Sequence, residues 1–317
     1  MNVGLPERPT RFRRDLRALA GPAPAAFGVA VSGGPDSLAL LLLAEAAFPG
    51  QFEAATVDHG LRPESAAEAA FVRNLCTERG IAHATLSGPA IQGNVQAGAR
   101  ALRYTLLGDW ARARGLAFLL TAHHQDDQAE TLLMRLRRGA GLAGLAGIRP
   151  HAEIEGLNVL RPLLGWRRAE LAEIVGEAGL NPVEDPSNRD DRFDRARLRR
   201  QLADTEWLDP PSLARSAAAL GEAEEALDWT VEQLIAERTE AAANGLTVDA
   251  SGLPAELRRR ILLRLLASLV PADPPRGEAV QRLLAALEAG EVATLAGVKC
   301  EGGAVWRLSP EPPRRGG

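Results

Sequence analysis

Phe27-Gly28-Val29-Ala30-Val31-Ser32-Gly33-Gly34-Pro35-Asp36-Ser37 is the stretch on which the fold turns. Residues 27–32 are a short apolar run ending in small residues and glycine, as a strand buried on both faces of a parallel sheet should be. An alanine- and leucine-rich stretch at 38–48 predicts a helix directly afterwards. Between the two, the backbone amides of Ser32-Gly33-Gly34-Pro35-Asp36-Ser37 and the following helix N-terminus make a cradle suited to phosphate. Asp36 is out of place in a bare phosphate cradle, because a carboxylate repels phosphate unless a cation stands between them. That points to Mg2+ bridging Asp36 and the phosphates. A plain turn with Ser or Asp capping a helix is the competing interpretation. No Gly-Lys-Ser/Thr occurs and Lys299 is the only lysine, so this is not a Walker loop.

Working outward, the chain repeats the same alternation. Residues 53–57 read as a second strand, 63–79 as a helix opened by proline and acidic residues, and 83–86 as a third strand. Residues 94–114 predict a long helix with an apolar stripe at Ala99, Leu102, Leu106 and Trp110; 116–121 is another buried strand and 125–138 another helix. Strands alternating with helices of this length imply an α/β fold, a parallel sheet with helices on both faces. Ligands of such sheets sit beyond the carboxyl ends of the strands. A glycine-rich stretch follows at 139–147, then a strand before Arg161, a helix at 167–178 and an Arg/Asp-rich segment up to Arg200. Leu208-Asp209-Pro210-Pro211 reads as a linker, giving expected domains at 1–208 and 209–317. The second is smaller and mainly helical, from the patterns at 214–238 and 254–269, with strand-like composition at 294–308.

Composition excludes several classes. With 317 residues there is room for two cores, and 46% hydrophobic with 25% charged residues is ordinary for a globular protein. No apolar run reaches the roughly 18 residues that cross a bilayer. The N-terminal residues carry Arg11, Arg13, Arg14 and Arg17 without an apolar core or cleavage site, so a cytoplasmic location is expected. Cys76 and Cys300 form neither a disulfide framework nor a Cys-x-x-Cys pair. The net charge of −4 says little about a local basic patch. Nearly every cation is arginine, whose planar fork suits phosphate oxygens; a GC-rich genome would give the same bias.

The turn after the first strand resembles the pyrophosphate loop of enzymes that split ATP between its α and β phosphates. Other segments narrow the choice: Val57-Asp58-His59-Gly60-Leu61-Arg62-Pro63-Glu64-Ser65, Ala99-Arg100-Ala101-Leu102-Arg103-Tyr104, Thr121-Ala122-His123-His124-Gln125-Asp126-Asp127-Gln128-Ala129-Glu130-Thr131, Arg161-Pro162-Leu163-Leu164 and Glu184-Asp185-Pro186-Ser187-Asn188. Their order, spacing and wording resemble the tRNA(Ile)-lysidine synthase family, strongly over 28–200 and loosely beyond. The resemblance implies an adenine nucleotide alpha-hydrolase-like, Rossmann-like first domain. It also implies a ligase that adenylates the wobble cytidine of tRNA(Ile) with a CAU anticodon and displaces AMP with free L-lysine. ATP and Mg2+ would be the cofactors, and the second domain would contact tRNA.

Ser32, Gly33, Gly34, Pro35, Asp36, Ser37 and His59 are the expected ATP-binding residues. Asp127 and Glu130 lie three apart on a helix and Asp126 and Glu130 four apart, so the carboxylates can share one face. They are expected to hold Mg2+, as Asp36 and Asp127, or the ammonium groups of lysine, as Asp127 and Glu130; acidic residues also favour helix N-termini for their own sake. Arg100 and Arg103 share a helix face, and the resemblance implies that one of them supports substrate and developing charge. Adjacent histidines point apart and no His-x-x-x-His occurs, so His59, His123 and His124 are expected to line the nucleotide pocket or orient neighbouring side chains, and not to form a zinc site. Arg195, Arg197 and Arg199, in a run with Arg192 and Arg200, are expected on tRNA phosphates; a solvated helix interleaved with Asp191 and Asp194 is the competing interpretation. The run resembles the family's Phe-x-Arg-Asn-Arg segment, with Ala196 where asparagine is usual. A tRNA thiolase, the nearest rival, would need sulfur-carrying cysteines.

Overall fold

The computed structural model describes residues 7–22, 26–58, 60, 65–89, 95–183, 194–203, 205, 208–270, 275 and 277–311. They form two compact units, Met1–Gly221 and Glu222–Gly317.

The first unit runs α1 (Glu7–Ala20), β1 (Phe27–Ala30), α2 (Pro35–Ala47), β2 (Phe52–Asp58), α3 (Ser65–Glu78), β3 (His83–Ser87), α4 (Val95–Ala113), β4 (Leu119–Leu120), α5 (Gln125–Arg137), α6 (Leu142–Leu145), β5 (His151–Ile154), β6 (Leu157–Leu160), α7 (Arg168–Glu177), α8 (Asp194–Ala203) and the start of α9 (Pro210–Arg238). The sheet order is β3-β2-β1-β4-β6-β5, parallel except for the β5–β6 hairpin. β1 therefore lies between β2, which follows it, and β4, which returns after β3. That is a topological switch point, where the loops leaving β1 and β4 part and open a crevice.

The two faces are covered as the apolar runs require. Leu38, Leu40 and Leu41 of α2 are fully buried with Phe12 and Leu16 of α1, Val72 of α3 and Leu171 of α7. A helix apolar on all sides must lie beneath others, and α2 does. On the opposite face Tyr104, Leu107 and Trp110 of α4 pack on Leu119, Leu157 and Val159. Gly28 makes that approach possible: a Cβ there would stand 2.8 Å from the Trp110 ring.

α1 lies outside the strand–helix alternation read from sequence. Its arginines fasten it: Arg8 pairs with Glu173 and Glu177 at 2.8 and 2.9 Å, Arg11 with Glu170 at 2.8 Å. Arg13 donates to the Ala47 carbonyl at the end of α2, where a cation meets the helix dipole.

The expected linker at 208–211 opens α9 instead. The Asp209 carboxylate accepts from Ser212 N–H at 3.0 Å and Ser212 Oγ at 2.6 Å, and Pro210 is the first helical residue, the sequence of an N-cap followed by proline. The units divide further on, inside α9. The second unit holds the rest of α9, β7 (Thr239–Ala242), β8 (Gly245–Asp249), α10 (Ala255–Leu269), α11 (Glu278–Glu288), β9 (Val292–Leu295), β10 (Val298–Glu301) and β11 (Val305–Pro310). Its antiparallel sheet, ordered β7-β8-β11-β10-β9, takes in the strand-like segment at 294–308. Trp306, Leu308, Ile261, Leu262 and Leu287 fill its core.

Candidate active site

The turn after β1 is braced from within. Ser37 Oγ donates to Gly34 O at 3.0 Å and accepts from Ser32 N–H at 3.1 Å, and Ser32 Oγ lies 3.2 Å away. Gly33 has φ +85°, and a Cβ on it would press on Val183 at 3.2 Å; only glycine takes this turn without strain. Its carbonyl accepts from Val183 N–H at 2.9 Å. Gly34 caps α2 and Pro35 follows, which sets Asp36 in the first turn. Asp36 Oδ2 lies 3.4 Å from His124 Nε2, while Oδ1 is buried with no hydrogen-bond partner.

His124, 1% exposed, precedes α5 and stands among three carboxylates. Besides Asp36, Asp126 Oδ2 is 3.6 Å from its Nδ1 and Asp127 Oδ2 is 3.6 Å from its Nε2. Burial opposes its charge, but the close carboxylates of Asp126, Asp36 and Asp127 prevail and raise the imidazolium to about 10. Asp127 also accepts from the His124 backbone N–H at 3.1 Å. The same Asp126 oxygen accepts from Arg168 N–H at 2.9 Å, satisfying the first amide of α7. Gln125 N–H donates to Trp166 O at 2.9 Å. Gln128 holds the other side of α5, paired with both backbone groups of Ile148 at 2.7 and 2.6 Å.

The neighbouring His123 has the opposite character. Its Nδ1 lies 3.0 Å from Thr121 Oγ1. Burial first, then Arg161, Arg195 and Arg100, against Asp127, lower its pKa to about 4. The two imidazoles thus divide the crevice into an acidic half around His124 and a basic half around His123.

Glu130, one turn further along α5, is 1% exposed and paired twice. Arg199 reaches it at 2.7 and 3.2 Å and Arg195 at 3.1 Å, with a further bond from Arg195 to Thr131 Oγ1. Arg199 also feels the charges of Asp127 and Asp36, which with Glu130 hold its guanidinium in the charged form against burial. Arg197 pairs with Asp194. On α4, Arg100 lies over the Tyr104 ring at 5.1 Å, and Arg103 is beside Tyr104 and Arg100.

The structure brings the glycine turn, Asp36 and Asp127 together around His124, and it pairs Glu130 with Arg195 and Arg199 one turn further along α5. Three features were not anticipated: the bridging of Asp36 and Asp127 by His124, the bond from the Arg168 amide of α7 to Asp126, and the saturation of Glu130 by arginines. His59 and residues 184–188, together with Arg192, lie outside the described residues. Arg161, part of a motif without an assigned role, joins the basic half; its position immediately after a sheet strand was the available signal. Neither cysteine is at the site. Both are buried, and burial pushes each thiol to about 11, helped by Glu45 and opposed by Arg79 at Cys76.

The model of the PP-loop domain matches residues 9–206. The tRNA(Ile)-lysidine synthase of Novosphingobium aromaticivorans is 50% identical over 311 residues, covering 96% of this chain and 94% of that protein. That of Zymomonas mobilis subsp. mobilis is 44% identical over 305 residues, 94% and 92% of the two chains. Among solved structures, the U34-tRNA thiolase NcsA of Methanococcus maripaludis, with its [4Fe-4S] cluster, aligns with a TM-score of 0.55 at 19% identity, over 68% of this chain and 79% of that one. At that identity the likeness concerns the fold alone. No described helix is long and apolar enough to cross a membrane. The chain carries the PP-loop domain and belongs to the tRNA(Ile)-lysidine synthase family.

Proposed function

We propose that the chain ligates free L-lysine to carbon 2 of the wobble cytidine of tRNA(Ile) with a CAU anticodon, consuming ATP and releasing AMP and pyrophosphate. The observation that supports it most is the meeting of Asp36 and Asp127 across His124, 3.4 and 3.6 Å from its Nε2, at the switch point of the sheet. An anion cradle and an amine-binding carboxylate thereby face the same crevice.

In the first step the cytidine O2 attacks the α-phosphorus of ATP. The bond from that phosphorus to the bridging oxygen breaks, and pyrophosphate leaves toward the amides of residues 32–37. The base oxygen, a poor leaving group, has become part of an adenylate. In the second step the lysine ε-nitrogen attacks carbon 2, the carbon–oxygen bond breaks, and AMP leaves with the electron pair. An ε-ammonium with a pKa of about 10.4 must lose a proton before it can attack. Asp127 orients that nitrogen and accepts the proton. Glu130, filled by Arg195 and Arg199, is a positioning residue that aims those guanidiniums at phosphate. Arg100 and Arg103 add positive charge from α4.

Asp36 and Asp127 also fit Mg2+. Their donors are all oxygen, as a hard cation requires, and Asp36 Oδ1 has no partner within the protein. Bound there, Mg2+ would offset the negative charge of the phosphates. The unit at 222–317 contacts tRNA away from the anticodon, and Arg197 meets RNA phosphate. The reaction belongs to the cytoplasm, where tRNA, ATP and free lysine meet.

The test is incorporation of labelled lysine into unmodified tRNA(Ile) bearing CAU, with ATP. Lysine-dependent AMP release together with labelled tRNA is expected. AMP release that requires glutamine or a sulfur donor in place of lysine would sink the proposal.

A further inference from the structure

We propose that Arg161, with Arg100 and Tyr104, forms a subsite for a phosphoryl group, distinct from the glycine turn. It rests on the proposed function only for which substrate carries that group.

Arg161 follows β6, and the Thr121 amide donates to the Leu160 carbonyl at 3.1 Å, so Arg161 stands level with the residues leaving β4. Its side chain is buried, at 4% exposure. One guanidinium nitrogen, Nη1, donates to Arg149 O at 2.6 Å. Nε is buried and has no partner. Burial is the largest influence on its charge; the Tyr104 hydroxyl lies against it as a neutral hydrogen-bonding neighbour, and Arg100 adds a like charge. Among the described residues no carboxylate lies within ion-pair distance of Arg161 or Arg100.

The remainder of the protein shows how unusual this is. Arg260, the other buried arginine among the described residues, is paired with Glu224 at 2.6 Å, Glu256 at 2.7 Å and Asp228 at 3.2 Å. A guanidinium withdrawn from water is stable only when an anion compensates it. The carbonyl of Arg149 and the hydroxyl of Tyr104 are neutral neighbours that offset none of the charge. Arg100, Arg195 and Arg161 all act on His123, so cations accumulate around a neutral imidazole. The missing partner is an anion with several acceptor oxygens, and a phosphoryl group matches both the charge and the planar donor fork. Two sources share that chemistry: the nucleotide, and a phosphodiester next to the modified base.

The experiment uses the full chain with Arg161→Gln and Arg161→Lys. One arm measures the affinity of a non-hydrolysable α,β-methylene ATP analogue with Mg2+ and no RNA. The other measures the affinity of unmodified CAU tRNA(Ile) without ATP across a salt series. Arg161→Gln should lose about tenfold in one arm, as removal of a charge-assisted bond does, with Arg161→Lys recovering part of it. A loss in the nucleotide arm assigns the subsite to ATP. A loss in the RNA arm, with the salt slope reduced by about one, assigns it to the phosphodiester. If both arms stay within twofold of wild type while only the melting temperature falls, Arg161 is a brace for the Arg149 carbonyl and the proposal is wrong. Should Arg161→Gln not fold, Arg100→Ala, at an exposed position, must weaken one arm, and no effect on either arm overturns the proposal equally. Lysine incorporation by wild type, run in parallel, separates the two failures: its absence removes the lysidine assignment and leaves the binding comparison standing.

Discussion

Two adjacent imidazoles carry opposite protonation preferences because neighbouring side chains of an extended segment face opposite ways. His124 turns to Asp36, Asp126 and Asp127, and His123 turns to Arg161, Arg195 and Arg100. His123 supplies a prediction with a definite sign. Its folded pKa of about 4 lies below the ordinary value near 6.5. Between those limits the unfolded chain binds the proton and the folded one does not, so stability falls as pH drops from about 6.5 toward 4. Melting temperatures of wild type and His123→Gln should converge as the pH is lowered through that window, if the variant is the less stable at neutral pH. A difference independent of pH would show that His123 is protonated in the folded protein. The sequence revealed that the two rings diverge. Their signs were hidden, because they depend on groups from α2, α4, α5, α8 and the end of β6, which only tertiary structure assembles.

Among the elements, α1 shows that apolar burial and charge pairing are not equal partners. Phe12 is fully buried against α2, so Phe12→Ala should cost about 3–5 kcal/mol. Arg8 is paired twice, but with the largely exposed Glu173 and Glu177, so Arg8→Ala should cost less than about 1 kcal/mol. Denaturant unfolding of the two variants checks the ordering, and equal losses would contradict it. The parallel strands were legible because each is a short apolar run bounded by turn residues, and α2 because it follows the glycine turn directly. Residues 208–211 misled because proline serves both linkers and helix starts; the Asp209 side chain bonded to Ser212 decides between them. The spacing on α5 put Glu130 one turn beyond Asp127 but did not show what it touches. Its two guanidinium partners come from α8, and no local pattern announces that pairing.

At the scale of the whole molecule, the two units rest on separate cores and on different uses of charge. The second buries Arg260 among Glu224, Glu256 and Asp228. Arg260→Ala, which strands those carboxylates, should cost about 3–5 kcal/mol. Arg264→Ala, at a half-exposed pair, should cost under about 1 kcal/mol; urea unfolding monitored by tryptophan fluorescence reads both. In the first unit Asp36 Oδ1 and Arg161 Nε are both buried without a partner at the carboxyl edge of the sheet, where substrates are to supply the partners. Pyrophosphate release and lysine transfer, followed separately in Asp36→Ala and Asp127→Ala with unmodified CAU tRNA(Ile), test that division of labour most directly. Asp36→Ala should abolish pyrophosphate release. Asp127→Ala should still release pyrophosphate but need far more lysine to complete transfer. Wild-type behaviour in both steps by either variant would remove that carboxylate from the chemistry.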